Sequence, residues 1–520
     1  MRRFYHATLF MVFSLTVSAQ ENIYLDEVFT DVSVSTNHVY GVNATILAFP
    51  IVGQAIPQPL VFDLYQATEN TAALRPLLIY FHTGNFLPFP QNGGVNGTIR
   101  DSTVVTMAKK LARSGYVVAS ADYRLGWNPV APSKDERVLT LINAAYRGVQ
   151  DANTAIRFFK KSVVENGNPF RIDTSRIVLF GDGTGGYISL NTSALDAYIK
   201  IPTASNGKFL LSDGLGNFFP MILESVNGDI EGKKVGVIPP GGIPFLPFPV
   251  GDTLNYPNHV NYSSDFAASV NLGGAIGDSS WIDPGQPPII SVHVPYDPFA
   301  PYVEGLVVVP VNPPLEVVEV QGSYLVSYLS NLYGNNNVLS PPHNVTSEQF
   351  EVTAVANSRN DGLEGLFPIY GTGGPFDSAP WNFWDPATNV NSAAGLLQNP
   401  DMSKAKAELY MDSIIAYVLP RLYTSLDLAT LVSTEDLLDP NDVQLATFPN
   451  PAVEEVFIAT HKDYAIRSIS VYDVKGTLVD SRTGINSNYY RLPVRQLTSG
   501  QYIIQVHFDQ GMSARQIVIK

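Results

Sequence analysis

One stretch near the middle of the chain, Arg176 to Leu190, constrains the fold more than any other. It opens with the apolar, β-branched run Ile177–Phe180, which is typical of a strand buried on both faces. Four glycines follow between Gly181 and Gly186, and an apolar segment with helical spacing begins behind them. Glycine permits tight turns and a close approach of neighbouring backbones. The stretch therefore predicts a buried strand, a tight turn and a helix in direct succession.

The segments around this stretch alternate between strand and helix patterns. Apolar runs predict strands at Arg75–His82, Tyr116–Ala121, Phe266–Leu272, Pro287–Val294 and near Phe350–Val355. Helical periodicity predicts helices at Thr103–Ser114, Leu139–Lys161 and Ser403–Leu419. Three alternating segments nearer the N-terminus are predicted as antiparallel strands at a sheet edge: Val32–Ser35, Ala44–Phe49 and Leu60–Tyr65. Strands that alternate with helices indicate a parallel, doubly wound sheet.

Six short motifs follow one another between Leu60 and Leu190. They are Asp63-Leu-Tyr65, His82–Phe86, Gly115-Tyr116, Asp122-Tyr-Arg124, Ile172-Asp173 and the glycine turn Gly181–Gly185. In this order they resemble the α/β-hydrolase family, specifically its carboxylesterase and lipase branch. The resemblance implies an α/β fold with a doubly wound, mostly parallel sheet. It also implies that residues 200–265 form a cap-like insertion above the active-site pocket, although a surface excursion packed on the sheet edge is equally compatible with their composition.

The glycine turn carries the nucleophile of this family, in the pattern G-x-S-x-G. Here the pattern is Gly181-Asp-Gly-Thr-Gly185, so Gly183 stands at the serine's position and has no side chain to react. Thr184 is an alternative nucleophile if the turn is shifted by one residue. Its other interpretation is an N-cap of the following helix. Asp182 is a further alternative that needs a similar shift.

Two other motifs resemble parts of an esterase site. His82, Thr83 and Gly84 resemble the H-G-G-G oxyanion loop, with Thr83 in place of a glycine. Asp297 follows a predicted strand in Asp297-Pro-Phe-Ala-Pro-Tyr302, which matches the position of the family's catalytic acid. An Asp-Pro turn is the alternative interpretation. The predicted pocket therefore contains His82, Thr83, Gly84 and Gly183, with Thr184 and Asp297 as candidate catalytic residues.

The family's catalytic histidine has no counterpart in the predicted place. It is expected between the last strand and the final helix, where Asn360–Tyr370 contains no histidine. His82 belongs to the oxyanion loop, His293 lies inside a predicted strand and His343 precedes the predicted last strand, so we predict structural roles for all three. No metal or cofactor is predicted, because the carboxylates and histidines show no ligand spacing.

The N-terminus indicates export. Residues 1–19 resemble a secretory signal peptide, with Arg2 and Arg3 before an apolar run and Val17-Ser-Ala19 as the cleavage site. That run is too short to span a bilayer, and no other segment has a transmembrane pattern. The chain has no cysteine, which excludes disulfides and thiolate sites. Its net charge of −15 argues against nucleic acid or an anionic membrane as a partner.

The C-terminal part predicts a second domain. Residues 426–444 form a polar, acidic segment that is predicted to be a linker, and residues 445–520 are predicted to form a small all-β sandwich. Its predicted strands are Val456–Thr460, Ile466–Asp473, Tyr489–Pro493, Tyr502–Phe508 and Gln516–Lys520, with a hairpin turn at Lys475-Gly476.

Four pieces of this segment closely resemble the C-terminal sorting domain of the bacterial type IX secretion system: Phe448-Pro-Asn-Pro451, Ser470-Val-Tyr-Asp473, Leu497–Tyr502 and the basic end Arg515–Lys520. The resemblance implies the secretion machinery as a partner and a secreted or cell-surface location. A carbohydrate-binding or adhesion sandwich is the alternative interpretation.

The sequence thus predicts an exported, carboxylesterase-like domain at residues 20–425 whose serine and histidine positions are vacant. The first hypothesis is a non-catalytic protein that binds a small or polymeric ester-like ligand. The second is an ester hydrolase that uses Thr184 or an atypical constellation of residues. The third is a structural or adhesive surface protein.

Overall fold

The computed structural model describes residues 23–243, 246–309, 311, 313–374, 376–432, 438–473, 478–509 and 511–520. The predicted signal peptide at residues 1–19 and the predicted turn at Lys475-Gly476 lie outside these ranges. The chain divides into two compact units, and the boundary along the sequence lies between Leu431 and Val432. Within the described residues, no helix is long and apolar enough to cross a membrane.

The first unit is built on an eight-stranded sheet. Its strands, with those of smaller ladders, are β1 (Val32–Thr45), β2 (Ile56–Ala67), β3 (Arg75–Phe81), β4 (Val117–Ala121), β5 (Ile172–Asp182), β6 (Leu210–Ser212), β7 (Phe218–Pro220), β8 (Gly236–Val237), β9 (Thr253–Asn255), β10 (Ala268–Leu272), β11 (Ala275–Ile276), β12 (Ile289–His293), β13 (Glu304–Val309), β14 (Leu315–Gly322) and β15 (Leu366–Pro368). The main sheet has the order β1-β2-β4-β3-β5-β10-β12-β15. Its first two pairings are antiparallel and the other five are parallel.

Helices connect and cover these strands. They are α1 (Phe49–Val52), α2 (Ser102–Arg113), α3 (Lys134–Asn166), α4 (Thr184–Ala194), α5 (Glu224–Asn227), α6 (Ser323–Leu332), α7 (Ser347–Asn357), α8 (Ser392–Gln398), α9 (Lys404–Ser425) and α10 (Ala429–Val432). Short 3-10 turns lie at Tyr198–Lys200, Ser205–Gly207, Ser279–Trp281 and Asn335–Leu339. Strands β3 and β4 bury every residue, as expected for parallel strands covered on both faces. The predicted doubly wound α/β sheet is confirmed.

The glycines of the central stretch hold α4 tightly against the sheet. A Cβ on Gly181 would lie 1.9 Å from the carbonyl oxygen of Gly185, and a Cβ on Gly185 would lie 1.9 Å from that of Phe81. Both contacts involve backbone atoms, which have no rotamer by which to move away. Glycine is therefore required at both positions, and it allows the end of β5, the start of α4 and the end of β3 to meet.

The last strand of the sheet is not the predicted one. The segment Phe350–Val355 lies in helix α7, and the eighth strand is β15. The helix begins with a capping box, in which the Thr346 side chain accepts from the backbone N–H of Gln349 and the Gln349 side chain accepts from that of Thr346. This capping outweighs the β-propensity of the valines and phenylalanine in the segment.

Several other elements extend beyond their predicted bounds. Helix α3 begins at the N-cap Ser133, and α9 continues past Pro420 to Ser425. The predicted edge segment Val32–Ser35 lies in the long strand β1, whereas only Ala44 and Thr45 of the predicted strand Ala44–Phe49 belong to β1, and Phe49 begins α1. A three-stranded sheet of β11, β14 and β13 was not predicted.

The segment 200–265 packs beside the main sheet. Its side chains Ile201, Phe209 and Ile222 share a buried cluster with Val138 and Leu139 of α3. Another part of the segment packs against strand β1, where Val226, Ile238 and Leu254 surround Ala44. The insertion therefore extends the core along α3, and it also accepts hydrogen bonds from Asn143, Gln150 and Arg157 of that helix.

The second unit consists of β-strands in two sheets. The strands are β16 (Ala446–Phe448), β17 (Glu455–Ala459), β18 (Ile466–Asp473), β19 (Leu478–Ser487), β20 (Tyr489–Pro493), β21 (Gly500–Phe508) and β22 (Gly511–Ile519). One sheet has the order β16-β17-β20 and the other β19-β18-β21-β22. Both sheets contribute to one apolar core, which also contains Val443 and Leu445 from the end of the predicted linker and just after it. The predicted all-β tail is confirmed; β19 was not predicted.

Candidate functional site

The carboxyl ends of the parallel strands enclose a cavity of about 180 Å³. The loops that follow β3, β5, β10, β12 and β15 all reach it, which is the usual place for a ligand in an open α/β sheet. Its lining residues are Thr83, Gly84, Asn85, Gly94, Val95, Asn96, Asp182, Gly183, Thr184, Tyr187, Leu272, Gly273, Asp297, Phe299, Ala300, Ser378, Ala379, Trp381, Asn382 and Gln398. Of the sequence-predicted site residues, Thr83, Gly84, Gly183, Thr184 and Asp297 meet here.

Gly183 forms a strained turn between β5 and α4. Its φ of 53° and ψ of −110° are a backbone conformation that residues with a side chain rarely adopt. A Cβ at this position would lie only 2.3 Å from Oγ1 of Thr83 and 3.0 Å from its Cβ. The Thr83 side chain therefore fills the space into which a side chain at position 183 would project.

Thr184 is the first residue of α4, and the N-cap is Gly183. The Thr184 side chain is buried, and its Oγ1 accepts a hydrogen bond from the backbone N–H of Asn85 at 2.7 Å. The hydroxyl of Thr184 thus connects the start of α4 to the loop after β3.

The loop after β3 is held in an unusual backbone conformation. Asn85 and Phe86 have φ values of 59° and 54°. Three hydrogen bonds fix this conformation: from Asn85 N–H to Thr184 Oγ1 at 2.7 Å, from Trp127 Nε1–H to the Asn85 carbonyl at 2.8 Å, and from Gly126 N–H to the Phe86 carbonyl at 2.7 Å. The N–H of Asn85 is therefore already engaged inside the protein.

His82 lies buried behind this loop and does not line the cavity. Its Nδ1 contacts the carbonyl oxygen of Thr83, and its Nε2 lies 3.3 Å from Oδ1 of Asp122. Burial would lower the pKa of His82, but the hydrogen bond and charge of Asp122, the charge of Asp101 and the carbonyl of Thr83 together outweigh it, and the pKa is raised. Both ring nitrogens face acceptors, which favours the imidazolium. The ring also stacks on Tyr123 at 4.7 Å, so His82 supports the loop.

Asp297 lies in the turn after β12. Its Oδ1 accepts hydrogen bonds from the backbone N–H groups of Phe299 and Ala300 at 2.7 and 3.2 Å. Burial raises the pKa of Asp297 to about 7, and the charge of Asp182 adds to this effect. A Cβ on Gly273 would lie 3.6 Å from Oδ2 of Asp297, so the second carboxyl oxygen faces the loop after β10.

Asp182 is a second carboxyl group in the same cavity. Its side chain is only 2% exposed, and its Oδ1 accepts a hydrogen bond from Nε1–H of Trp381 at 3.0 Å. Its Oδ2 is buried and has no hydrogen-bond partner among the described residues. Burial raises the pKa of Asp182 to about 7, an effect that the Trp381 hydrogen bond opposes and the charge of Asp101 strengthens.

The loop after β15 contributes Trp381 to the cavity. No histidine occurs between Pro368, where β15 ends, and Lys404, where α9 begins. The Trp381 ring and Oδ2 of Asp297 both lie within 4 Å of the position of a Cβ on Gly273. Trp381 was not predicted as a site residue. The aromatic cluster Trp381-Asn-Phe-Trp384 is the sequence signal that could have identified it.

The remaining predicted histidines lie away from this cavity. His293 is buried at the end of β12, where Nδ1 contacts Ser323 Oγ at 2.7 Å and Nε2 contacts the Ala300 carbonyl at 3.1 Å. Burial lowers its pKa to about 4. His343 packs on the ring of Tyr423 at 4.7 Å. Neither residue lines the cavity.

The cavity is covered by loops rather than by the large insertion. Among its described residues, the segment 200–265 contributes no lining residue. The cover comes instead from residues 94–96 and from five positions between Ser378 and Gln398. A second, open depression lies near Trp384 and Lys404. It contains no residue of the glycine turn Gly181–Gly185 (the elbow), of the oxyanion loop at His82–Gly84 or of the turn at Asp297. In the part of the chain that the structure describes, no three His, Cys, Asp or Glu residues are grouped as metal ligands would be.

Two known families match parts of the chain, one in each unit. Residues 62–206 match the BD-FAE family, and residues 446–520 match the family described as the secretion system C-terminal sorting domain. No curated protein gives a significant match to the chain.

Solved structures of esterases are similar at low identity. Propionate-bound esterase 2 from Thermogutta terrifontis is 14% identical over 74% of this chain and 96% of its own, with a TM-score of 0.31. Paraoxon-phosphorylated esterase 2 of the same organism is 17% identical over 52% of this chain and 73% of its own, with a TM-score of 0.28. Esterase B from Lactobacillus rhamnosis, in an inhibited form, is 21% identical over 37% of this chain and 51% of its own, with a TM-score of 0.20.

The family matches and the sheet architecture lead to the same assignment. Residues 62–206 belong to an esterase-like α/β-hydrolase domain, and residues 446–520 are a type IX secretion sorting domain that directs the chain to the cell surface or the medium.

Proposed function

We propose that the first unit is a non-catalytic α/β-hydrolase domain that binds a small ligand in the cavity at the carboxyl edge of its sheet. The observation that carries this proposal is the fit of Thr83 over Gly183. The elbow has glycine where a nucleophile is required, and the neighbouring loop has placed a side chain in the vacated space, 2.3 Å from where a Cβ would stand. A nucleophile could not be restored there without moving Thr83.

The oxyanion loop supports the same proposal. Acyl transfer needs backbone N–H groups that are free to meet a developing negative charge. The N–H of Asn85 is instead bonded to Thr184 Oγ1 at 2.7 Å. That hydroxyl is buried and anchors the loop. We therefore propose that Thr184 positions the loop and does not act as a nucleophile.

The two carboxyl groups support binding in place of hydrolysis. In a hydrolase of this fold the acid orients a histidine. Here the Asp297 turn is satisfied by backbone N–H groups, and Trp381 occupies the neighbouring space. Both carboxyl groups remain available to a ligand that enters the cavity.

The test is turnover of p-nitrophenyl esters, from acetate to octanoate, by the chain without its predicted signal peptide. We expect no turnover above the rate in buffer alone, either by this chain or by its Thr184→Val and Asp297→Asn variants. Saturable turnover that disappears in Thr184→Val, with an unchanged unfolding midpoint, would refute the proposal and identify a nucleophile.

One specific alternative is an ester hydrolase that uses Thr83. Its hydroxyl lies in the space of the missing nucleophile side chain, and a carboxyl group with a pKa near 7 suits a general base. Thr83→Val preserves the shape of the side chain and removes the hydroxyl. Activity that Thr83→Val abolishes and Thr184→Val preserves would support this alternative over the non-catalytic proposal.

A further inference from the structure

The cavity has a charge pattern that an ester pocket does not need. Its lining includes two carboxyl groups, Asp182 and Asp297, and no lysine, arginine or histidine among the described residues. A carboxylate in a low-dielectric site is unfavourable unless a cation or several donors accompany it. Neither Asp182 nor Asp297 has a lysine or arginine as its ion-pair partner in the described chain.

Asp182 provides the more direct sign of a missing partner. Its Oδ2 is buried and has no hydrogen bond within the described part of the chain, and Asp182 is 2% exposed and lines the cavity. Buried acceptors are normally satisfied, so an orphaned carboxyl oxygen at a cavity wall indicates where a ligand donor would bind. Asp297 adds a second acceptor, because its two backbone hydrogen bonds both go to Oδ1.

The walls next to these oxygens are aromatic. The Trp381 ring and Oδ2 of Asp297 both approach Gly273, in the loop after β10. A Cβ on Gly273 would lie 3.9 Å from the Trp381 ring and 3.6 Å from Oδ2 of Asp297. Tyr187 and Phe299 line another part of the cavity. Carboxylates beside aromatic rings form a suitable environment for an ammonium group. The ammonium group donates hydrogen bonds to the carboxylates, and the faces of the aromatic rings attract its positive charge.

We propose that this cavity binds the primary ammonium group of a small amine between the carboxyl groups of Asp182 and Asp297, beside the ring of Trp381. The inference rests on the proposed function, because a domain that holds a ligand without cleaving it needs recognition and no nucleophile. An ammonium group has three N–H donors, enough for both carboxyl groups and one further acceptor. At about 180 Å³ the cavity is smaller than the pockets that hold drug-sized ligands, so the amine is small.

The proposal predicts how binding depends on pH. Asp182 and Asp297 both have a pKa raised to about 7, so both exchange protons near neutrality. A cation favours the ionised carboxyl groups, and amine affinity therefore rises as the pH increases from about 6 to about 8, a range in which the amine stays charged. The other ionisable groups that act on the pair are Asp101, His82, Tyr80, Tyr123 and Tyr187. Of these, His82 has a pKa that its contacts with Asp122 raise, and loss of its positive charge would change amine affinity in the same direction.

The experiment compares three probes of equal chain length: butylamine, 1-butanol and butyrate. Each is titrated by calorimetry into the chain without its signal peptide at about pH 6 and pH 8. We expect butylamine to bind most tightly, with roughly tenfold or greater gain over butanol at the higher pH, and with proton release in buffers of different ionisation enthalpy.

Variants separate the two carboxyl groups from other causes. Asp297→Asn keeps the acceptor for its turn and removes the charge, and we expect it to lower butylamine affinity roughly tenfold and to reduce the pH dependence. Glu351→Gln removes one charge from the exposed face of α7, and it should leave the butylamine affinity and its pH dependence unchanged. A pH dependence that Asp297→Asn and Asp182→Asn both leave intact would assign the effect to His82 and refute the proposal.

Failure of this inference differs from failure of the proposed function. Equal or tighter binding of butyrate or butanol, or no binding of butylamine at either pH, would refute recognition of an amine and leave the non-catalytic assignment standing. Ester turnover would refute the non-catalytic assignment without changing the probe titrations. The comparison of butylamine with butanol and butyrate in the wild type needs no substitution, so it remains decisive if Asp182→Asn does not fold.

Discussion

Thr83 and Gly183 form a complementary pair of residues on two different loops. The loop after β3 has a side chain where the resembled H-G-G-G motif has glycine, and the elbow has glycine where the G-x-S-x-G motif has a side chain. Their distance explains why these two departures occur together, since a Cβ on Gly183 would lie 2.3 Å from Thr83 Oγ1. The pair can be tested as a unit.

We predict that Gly183→Ser destabilises the first unit by about 2–4 kcal/mol, because the substitution adds a steric clash to an unfavourable backbone conformation. Thr83→Ala removes the clashing hydroxyl, so the double variant should recover about 1–2 kcal/mol of this loss as coupling energy. Urea unfolding followed by tryptophan fluorescence measures the first unit alone, since all four tryptophans lie in it.

Gly167→Ser is the matched control for this cycle. Gly167 ends α3 with a φ of 68°, and a Cβ there would meet no atom within 4 Å. The Gly167→Ser variant should therefore lose only about 1 kcal/mol of stability, from its unfavourable backbone conformation, and should show no coupling to Thr83→Ala. Equal losses in the two serine variants would mean that Thr83 moves aside without cost, contrary to the steric interpretation.

Asp182 should make the stability of the first unit depend on pH. Burial raises its pKa to about 7 in the folded protein, above the value of about 3.9 expected in the unfolded chain. The folded state then binds more protons, so this group lowers stability as the pH rises from about 4 to about 7. Asp182→Asn removes the effect. Relative to wild type, its free energy of unfolding should increase by at most about 3 kcal/mol between pH 4.5 and pH 8.

Asp278 gives the opposite case on the same unit. It is buried and forms an ion pair with Lys208 at 2.9 Å. Burial alone would raise its pKa, but hydrogen bonds from Ser280 and Lys208 outweigh it, and the pKa is lowered. Stability from a lowered carboxyl pKa is fully present above about pH 4 and lost below it. Asp278→Asn should therefore differ from wild type by a constant amount between pH 4.5 and pH 8. Parallel pH profiles for both variants would contradict the elevated pKa of Asp182.

At the scale of secondary-structure elements, local sequence was informative where the pattern was long and where backbones come close. The strands β3 and β5 and the turn at Gly181–Gly185 could be predicted because apolar runs and glycines have direct steric meaning. The segment Phe350–Val355 could not, because its apolar side chains suit either state and the deciding contact is a cap at its start. The contact of Trp381 with Asp182 joins positions far apart in sequence, and no local pattern encodes it.

Helix α7 allows a test of that deciding cap. The Thr346 side chain accepts from the N–H of Gln349 at 3.1 Å. We predict that Thr346→Ala destabilises α7 by about 1 kcal/mol, seen as faster hydrogen exchange of its amides. Ser347→Ala, at the adjacent exposed position, should have little effect. Equal exchange in the two variants would show that packing, and not the cap, maintains the helix.

At the scale of the whole molecule, the two units combine different tasks. The first unit has the hydrolase sheet and the cavity, and the second has its own apolar core and the sorting sequence. The tail's core contains Ile504, which is fully buried, whereas the adjacent Ile503 is 43% exposed. Alternation along β21 places the two side chains on opposite faces of the sheet. A substitution at Ile504 therefore affects the folding of the tail, whereas a substitution at Ile503 changes only the exposed surface of the tail.

The sorting function of the tail can be tested through these neighbouring residues. In a bacterium with type IX secretion, we predict that the chain lacking residues 446–520 stays in the periplasm, while the full chain reaches the cell surface or the medium. Ile504→Ala should cost about 2–5 kcal/mol, more than a domain of this size can readily lose, and should lower export because the unfolded tail no longer presents its recognition surface. Ile503→Ala should leave folding and export near wild type if the secretion machinery does not bind the exposed face of β21.

Immunoblots of the periplasm, the cell surface and the medium measure how each variant is distributed. Equal surface amounts with and without residues 446–520 would refute sorting by the tail, whereas an export defect in Ile503→Ala with unchanged hydrogen exchange in β21 would locate the recognition surface on its exposed face.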